Sequence, residues 1–220
     1  MKEDRTIAYY DDHAQQFTTD TLDVVFTDIQ DRFLAQLQPG SLILDFGCGP
    51  GRDSRYFLQK GYRVEACDGS VKMVRTAAEN TGLPVRQMLF SELNETARYD
   101  GIFACASILH VPSADLPDIF CRMREAVKPG GILYVSFKYG DFEGIRNGRY
   151  FTDLKEDTLK SLLQDTGGLR ITEQWITGDV RPGREEEKWL NVLLKKSEKY
   201  CRYSVFRSQS FVPRGGPKLR

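Results

Sequence analysis

Apolar and polar positions along this chain follow two rhythms in turn, and the exchange between them predicts its elements. Leu42-Ile43-Leu44, followed by Asp45 and Phe46, is the near-continuous apolar run of a strand covered on both faces. The pattern then predicts a helix over 52–60, a strand over 62–67, a helix over 70–80, strands over 84–89 and 100–105, a helix over 114–127 and a strand over 131–138. Strands alternating with helices imply a parallel sheet with right-handed crossovers. Upstream, Tyr9, Tyr10, Phe17, Leu22, Val25, Phe26, Ile29, Phe33 and Leu37 recur at spacings of three, four or their sums, so residues 1–38 read as helical up to Pro39-Gly40. Downstream, residues 139–153 mix Gly140, Gly144 and Gly148 with Arg146, Arg149, Tyr150 and Phe151 and read as a long loop, too polar for a core element. Thr152 or Asp153 would cap a helix over about 155–164, and Leu169–Thr177 with Glu187–Leu194 suits an antiparallel edge pair.

The chemistry concentrates where the first strand ends. Asp45-Phe46-Gly47-Cys48-Gly49-Pro50-Gly51 sets an acid before three alternate glycines, whose missing Cβ atoms let backbone turn tightly against a ligand. A dinucleotide loop of the G-x-G-x-x-G kind wants a small third residue where Arg52 stands. About 20 residues on, the next strand ends in Asp68-Gly69-Ser70, a carboxylate placed to accept ribose hydroxyls. Asp68 and Ser70 also suit a turn and a helix N-cap, and both roles can hold at once.

The D-x-G-x-G-x-G pattern resembles motif I of the class I S-adenosylmethionine-dependent methyltransferases. Tyr99 to Pro112 resembles their fourth strand and motif IV, and Leu116 to Phe137, with Lys128-Pro129-Gly130-Gly131 inside it, resembles the helix, turn and fifth strand that close their core. The resemblance implies a Rossmann-like α/β fold: a mostly parallel seven-stranded sheet with an antiparallel edge hairpin and an N-terminal helical lid. Its divisions would be a lid over 1–40, a cofactor-binding core over 41–196 and a basic tail over 197–220. It implies cofactor contacts at Tyr10, Asp45, Gly47, Cys48, Gly49, Gly51, Asp68, Gly69, Ser70, Met73, Phe90, Ser91, Glu92, Ala106 and Ser107. Asp45 would help hold the amino-acid end of S-adenosylmethionine. An Asp that commonly meets the adenine amine is missing from Leu89-Phe90-Ser91-Glu92-Leu93, so Glu92 or backbone at Phe90 and Ser91 would serve. Tyr9-Tyr10-Asp11 and Ala14 resemble a familiar beginning of the family's lid.

Ala106-Ser107-Ile108-Leu109 stands where DNA amino-methyltransferases carry an Asn/Asp-Pro-Pro-aromatic element, which argues against base methylation by that route. The chain looks closest to small-molecule members of the tellurite-resistance and quinone-biosynthesis kinds. His110, one of two histidines, is the candidate general base, with orientation of its loop as the equal alternative. Lys138, Tyr139, Arg146, Arg149, Tyr150, Trp175 and Arg181 follow or end later strands, where cationic groups would suit an anionic substrate. Arg52 and Asp53 start a helix, and either could reach the cofactor's amino-acid end.

Composition narrows the class without changing it. Hydrophobic content of 40% and charge of 28% over 220 residues suit one globular α/β domain. The expectation is a cytoplasmic protein, with neither a spanning stretch nor a secretory signal. Five cysteines without a C-x-x-C pair suggest neither a disulfide framework nor a zinc site; Cys67 and Cys105 read as buried, and a thiol relay through Cys48 and Cys121 is the sharper alternative. Net charge is zero, yet residues 195–220 hold eight basic residues and one acid. That tail, interleaved with Tyr200, Tyr203, Phe206 and Phe211, would serve an RNA- or protein-directed methyltransferase, or lie on the acidic body. A non-catalytic S-adenosylmethionine-binding module is the remaining class.

Overall fold

A computed structural model of the chain describes residues 2–181, 183–184 and 186–198. The aromatic-rich tail falls almost wholly outside them. The chain opens with three helices, α1 (Lys2–Asp12), α2 (Ala14–Thr21) and α3 (Thr27–Leu34). The alternation of strand and helix follows: β1 (Leu42–Phe46), α4 (Arg52–Gln59), β2 (Arg63–Asp68), α5 (Val71–Thr81), β3 (Arg86–Gln87), β4 (Tyr99–Ala104), α6 (Leu116–Ala126) and β5 (Val127–Lys138). A hairpin of β6 (Glu143–Arg146) and β7 (Arg149–Thr152) precedes α7 (Glu156–Thr166), β8 (Leu169–Gly178) and β9 (Lys188–Lys196).

The main sheet has seven strands in the order β3-β2-β1-β4-β5-β9-β8. β1 pairs in parallel with both β2 and β4, and only β9 runs against its neighbours. The chain thus leaves β1 toward one edge and resumes at β4 on its other side. The carboxyl ends of β1 and β4 form the switch point at which open α/β sheets bind ligands.

Strand alternation divides the core between the sheet faces. Leu44 and Phe46 pack with Leu133, Val135, Phe137 and α6, while Ile43 packs with Phe33, Phe57, Phe103 and Tyr134 under α3 and α4. Phe103 and Tyr134 stack with centroids 4.5 Å apart. Asp45 shares the Ile43 face, which decides its role below.

Four expectations need correction. The single helical stretch over 1–38 is broken, because Thr18, Thr19 and Thr21 turn their hydroxyls back onto carbonyls four residues earlier and β-branched Val24 and Val25 follow. The strand over 84–89 shrinks to two residues, since Pro84 has no N–H to give and the chain enters a 3₁₀ turn at Phe90–Glu92. The loop over 139–153 contains the β6–β7 hairpin, turned by Asn147 (φ 49°) and Gly148 (φ 82°), the left-handed pair of a type I′ turn. Neither Thr152 nor Asp153 caps α7: Thr152 donates to the Val111 carbonyl, Asp153 pairs with Arg146, and the cap is Lys155 N–H on the Thr158 hydroxyl.

Candidate functional site

At the switch point a cavity of about 510 Å³ opens above the ends of β1, β2, β4 and β5. Its floor is backbone. Gly47 has φ +82°, and a Cβ there would lie 2.4 Å from the Ser107 Cβ. Gly49, φ +53°, donates its N–H to Asp68 Oδ2 at 2.9 Å, while Asp68 Oδ1 accepts from Ser70 N–H at 2.9 Å. Burial raises the Asp68 carboxyl above its ordinary range, and those N–H donors pull it back. Ser70 caps α5 by accepting from Met73 N–H and at the same time lines the cavity. Ser107 ties the other wall by donating to the Phe46 carbonyl at 2.7 Å. Beside it Ala106 holds φ +49°, a strained conformation for a residue with a Cβ, at the tip of β4.

Thirteen of the expected site residues line this cavity: Tyr10, Gly47, Cys48, Gly49, Asp68, Gly69, Ser70, Met73, Phe90, Ser91, Ala106, Ser107 and His110. Three do not. Asp45 is 2% exposed and accepts from the Ser54 hydroxyl at 2.6 Å, so it fastens α4 to β1 and does not face the cavity. Burial, reinforced by Asp53, pushes its carboxyl well up. Gly51, φ +89°, is the N-cap of α4; a Cβ there would meet Thr81 at 2.8 Å, so its smallness serves helix packing. Glu92 turns back to accept from Leu89 N–H at 2.7 Å and stabilises the 3₁₀ turn that presents Phe90 and Ser91.

Helices α1 and α2 cover the cavity and are fastened at both sides. Asp11 accepts from the Ser70 hydroxyl at 2.6 Å and from Lys72 N–H at 3.1 Å. Tyr150 N–H donates to the Thr6 hydroxyl at 3.0 Å, and Tyr10 Oη lies 2.8 Å from His110 Nε2. Because His110 Nδ1 lies 2.6 Å from the Tyr150 carbonyl, its proton sits on Nδ1, and Nε2 accepts from the Tyr10 hydroxyl. Burial pushes the imidazole down to about 4, with the Arg149 charge acting in the same direction. It is therefore neutral at pH 7, with its lone pair in use.

The far wall comes from side chains distant in sequence. Lys138, at the end of β5, donates to Asp179 and Glu187 and lies over the Trp189 ring. Asp179 also accepts from Arg181 and from Trp189 Nε1, and these donors hold its carboxyl far below the usual range. Arg52 pairs with Asp53, which accepts from Gln30 at 2.6 Å, and its guanidinium covers Phe26 at 4.3 Å. Sequence reasoning named Lys138, Arg181 and Arg52 but missed Asp179, Gln30, Phe17 and Phe26; Asp179 had a signal, an acid two residues before Arg181 at the end of a strand. Tyr139, Arg146 and Trp175 do not line the cavity. The thiols form no relay: the four described cysteines are free, and burial raises those of Cys48, Cys67 and Cys105. Among the described residues, no helix is long and apolar enough to cross a membrane.

Sheet order, the single reversed strand and a glycine loop at the switch point define a Rossmann-like α/β fold. Residues 43–131 match the family model described as a methyltransferase domain. The chain is 31% identical over 133 residues to malonyl-[acyl-carrier protein] O-methyltransferase of Salmonella typhimurium, covering 59% of this chain and 49% of that one. The chain spans about half, or less, of the length of most curated relatives it matches. Among solved structures it is similar to 1,6-didemethyltoxoflavin-N1-methyltransferase of Burkholderia thailandensis with bound 1,6-didemethyltoxoflavin and S-adenosylhomocysteine (TM-score 0.69, 23% identity, 87% of this chain and 85% of that one). It is likewise similar to magnesium protoporphyrin IX methyltransferase of Synechocystis with bound S-adenosylhomocysteine (TM-score 0.69, 19% identity, 90% and 100%).

Proposed function

We propose that the protein is an S-adenosylmethionine-dependent methyltransferase acting on a small-molecule acceptor. The observation that carries this reading is the Gly47–Gly49 backbone locked to Asp68 at the β1/β4 switch point, under a helical lid. A carboxylate held by two backbone N–H groups keeps lone pairs for further donors, as paired ribose hydroxyls require. Phe90 and Ser91 would take the adenine, and the Gly47 and Gly49 backbone would lie against the nucleoside and amino-acid end. The cavity, crossed by helices α1 and α2 that are pinned on both sides, suits a small acceptor better than a polymer. The Tyr9-Tyr10-Asp11 lid supports the finer likeness to tellurite-resistance and quinone-biosynthesis members. The unpaired, protonated thiols do not favour metalloid chemistry through cysteine.

When bound, S-adenosylmethionine supplies an electrophilic methyl on a sulfonium, a good leaving group that needs no activation by the protein. The chain's own residues then exclude water and align the acceptor, which is where most of such a rate arises. Of the carboxylates that line the cavity, Asp53 is engaged by Arg52 and Gln30, Asp118 by Arg122 and Asp179 by Lys138 and Arg181, and His110 is neutral with Nε2 occupied. His110 thus acts as a positioning residue that holds Tyr10 and the lid, and the acceptor atom arrives already nucleophilic.

Calorimetric titration with S-adenosylmethionine tests the reading. Asp68→Ala is expected to weaken binding about 10- to 100-fold, the loss of charge-assisted hydrogen bonds. Asp68→Asn, which keeps an acceptor for Gly49 N–H, separates this from collapse of the loop. Unchanged affinity in both variants would remove Asp68 from the cofactor site.

A further inference from the structure

Five cations line the cavity: Arg52, Lys138, Arg149, Arg181 and Arg184. Four of them have carboxylate partners, Asp53 for Arg52, Asp179 and Glu187 for Lys138, Asp179 for Arg181, and Glu187 for Arg184 at 3.9 Å. Arg149 has none among the described residues. Its Nη1 donates to Tyr10 Oη at 3.2 Å, and its Nε, buried from solvent, has no hydrogen-bond partner. The guanidinium lies against aromatic rings, 4.7 Å from the Tyr9 centroid and 5.2 Å from that of Phe151. An unpaired buried guanidinium N–H costs free energy that a carboxylate or phosphate oxygen would recover, because the planar fork donates to such oxygens two at a time.

The position is specific. Arg149 begins β7 directly after the Asn147-Gly148 turn, so the hairpin that the sequence reads as a loop delivers it beside Tyr10 and His110, where β4 ends. A Cβ on Gly148 would lie 2.8 Å from Tyr9 Cδ2, so hairpin and lid are fitted closely and the guanidinium has little freedom to seek solvent. The neighbouring rings remove water without supplying an anion.

We propose that Arg149 is the specificity-determining anchor for an anionic group, carboxylate or phosphate, on the methyl acceptor. This rests on the methyltransferase reading above and deepens it to a substrate class: small anions whose nucleophilic atom needs no base from the protein.

The test uses the full chain. S-adenosylmethionine binding is measured by calorimetry for the wild type, R149Q and R149K. Methyl transfer is followed with methyl-labelled S-adenosylmethionine on a cell metabolite extract first divided on an anion exchanger at pH 8. Label is expected to enter products only from the retained, anionic fraction. R149Q is expected to lower kcat/KM there by about 10- to 100-fold, chiefly through KM, at unchanged donor affinity. R149K keeps the charge but not the fork and falls between the two; should R149Q not fold, R149K carries the same comparison. Label arising from the unretained fraction or from neither, or an R149Q loss that follows weakened donor binding, overturns the anion assignment alone. Absence of donor binding in the wild type overturns the methyltransferase reading itself.

Discussion

Replacing His110 with Asn should make the variant less stable than the wild type near neutrality and more stable in acid. Burial pushes the folded imidazole down to about 4, against an ordinary value of 6.5. Between those values the unfolded chain binds a proton that the folded chain refuses. Stability therefore falls as pH falls through that window, and the contribution is complete only above the unfolded value. At about 1.36 kcal/mol per pKa unit, the wild type loses roughly 3 kcal/mol through this residue between pH 7.5 and pH 4. An Asn keeps a donor for the Tyr150 carbonyl but leaves the Tyr10 hydroxyl without its acceptor, a loss of about 1 kcal/mol at any pH.

The two curves of unfolding free energy against pH must then cross. H110N should be weaker by about 1 kcal/mol at pH 7.5 and stronger by about 1 to 2 kcal/mol at pH 4.5. Losses from carboxylates that titrate in acid are common to both chains and cancel in the difference. Urea denaturation at steps from pH 4.5 to 7.5, followed by tryptophan fluorescence, gives the difference directly. Imidazole NMR is tractable because the chain has only two histidines. Parallel curves, or a His110 ring that titrates near 6.5, would refute the argument and return His110 to the role of general base.

Gly47→Ala should abolish S-adenosylmethionine binding in calorimetry while the protein stays folded by circular dichroism, because its Cβ would fall 2.4 Å from Ser107 Cβ at φ +82°; retained micromolar affinity would show that the loop has another role. Asp45→Asn should change cofactor affinity by less than about threefold, since the buried side chain bonds Ser54 and lies outside the cavity, and Asn keeps an oxygen for that hydroxyl. The same variant's thermal stability relative to the wild type should be greater at pH 8 than at pH 5: a carboxyl raised by burial favours folding while protonated, and the wild type loses that advantage as pH rises through the raised value. A melting-temperature difference independent of pH would remove Asp45 from the set of raised groups.

The glycine-loop end of the cavity was legible because it is made of backbone. Gly47 and Gly49 are needed wherever main chain approaches a ligand, and Asp68 follows from the register of β2 beside β1; both leave a mark at fixed spacing. Asp45 and Gly51 belong to the same motif yet serve the helix behind it, since spacing alone does not say which face of β1 a side chain takes. Strand alternation does: Asp45 follows Ile43 onto the α3/α4 face. The β6–β7 hairpin had its sign in Asn147-Gly148, outweighed by the surrounding charges of Arg146 and Arg149.

The far wall was illegible for the opposite reason. Gln30, Asp53, Lys138, Asp179 and Trp189 come from five separate elements or loops and meet only through the sheet order, so no local pattern records their pairing. Arg52 offsets Asp53, and Lys138 with Arg181 offsets Asp179, which makes that wall stiff and leaves little there to select a ligand. Selection then passes to the group left out of this balance. Arg149 reaches the cavity only because a type I′ turn reverses the chain one residue earlier, and its guanidinium shares Tyr10 with His110. The contact that ties α1 to His110 and the charge proposed for the acceptor therefore meet at one phenol, and on that proposal an anion bound to Arg149 would hold α1 across the cavity.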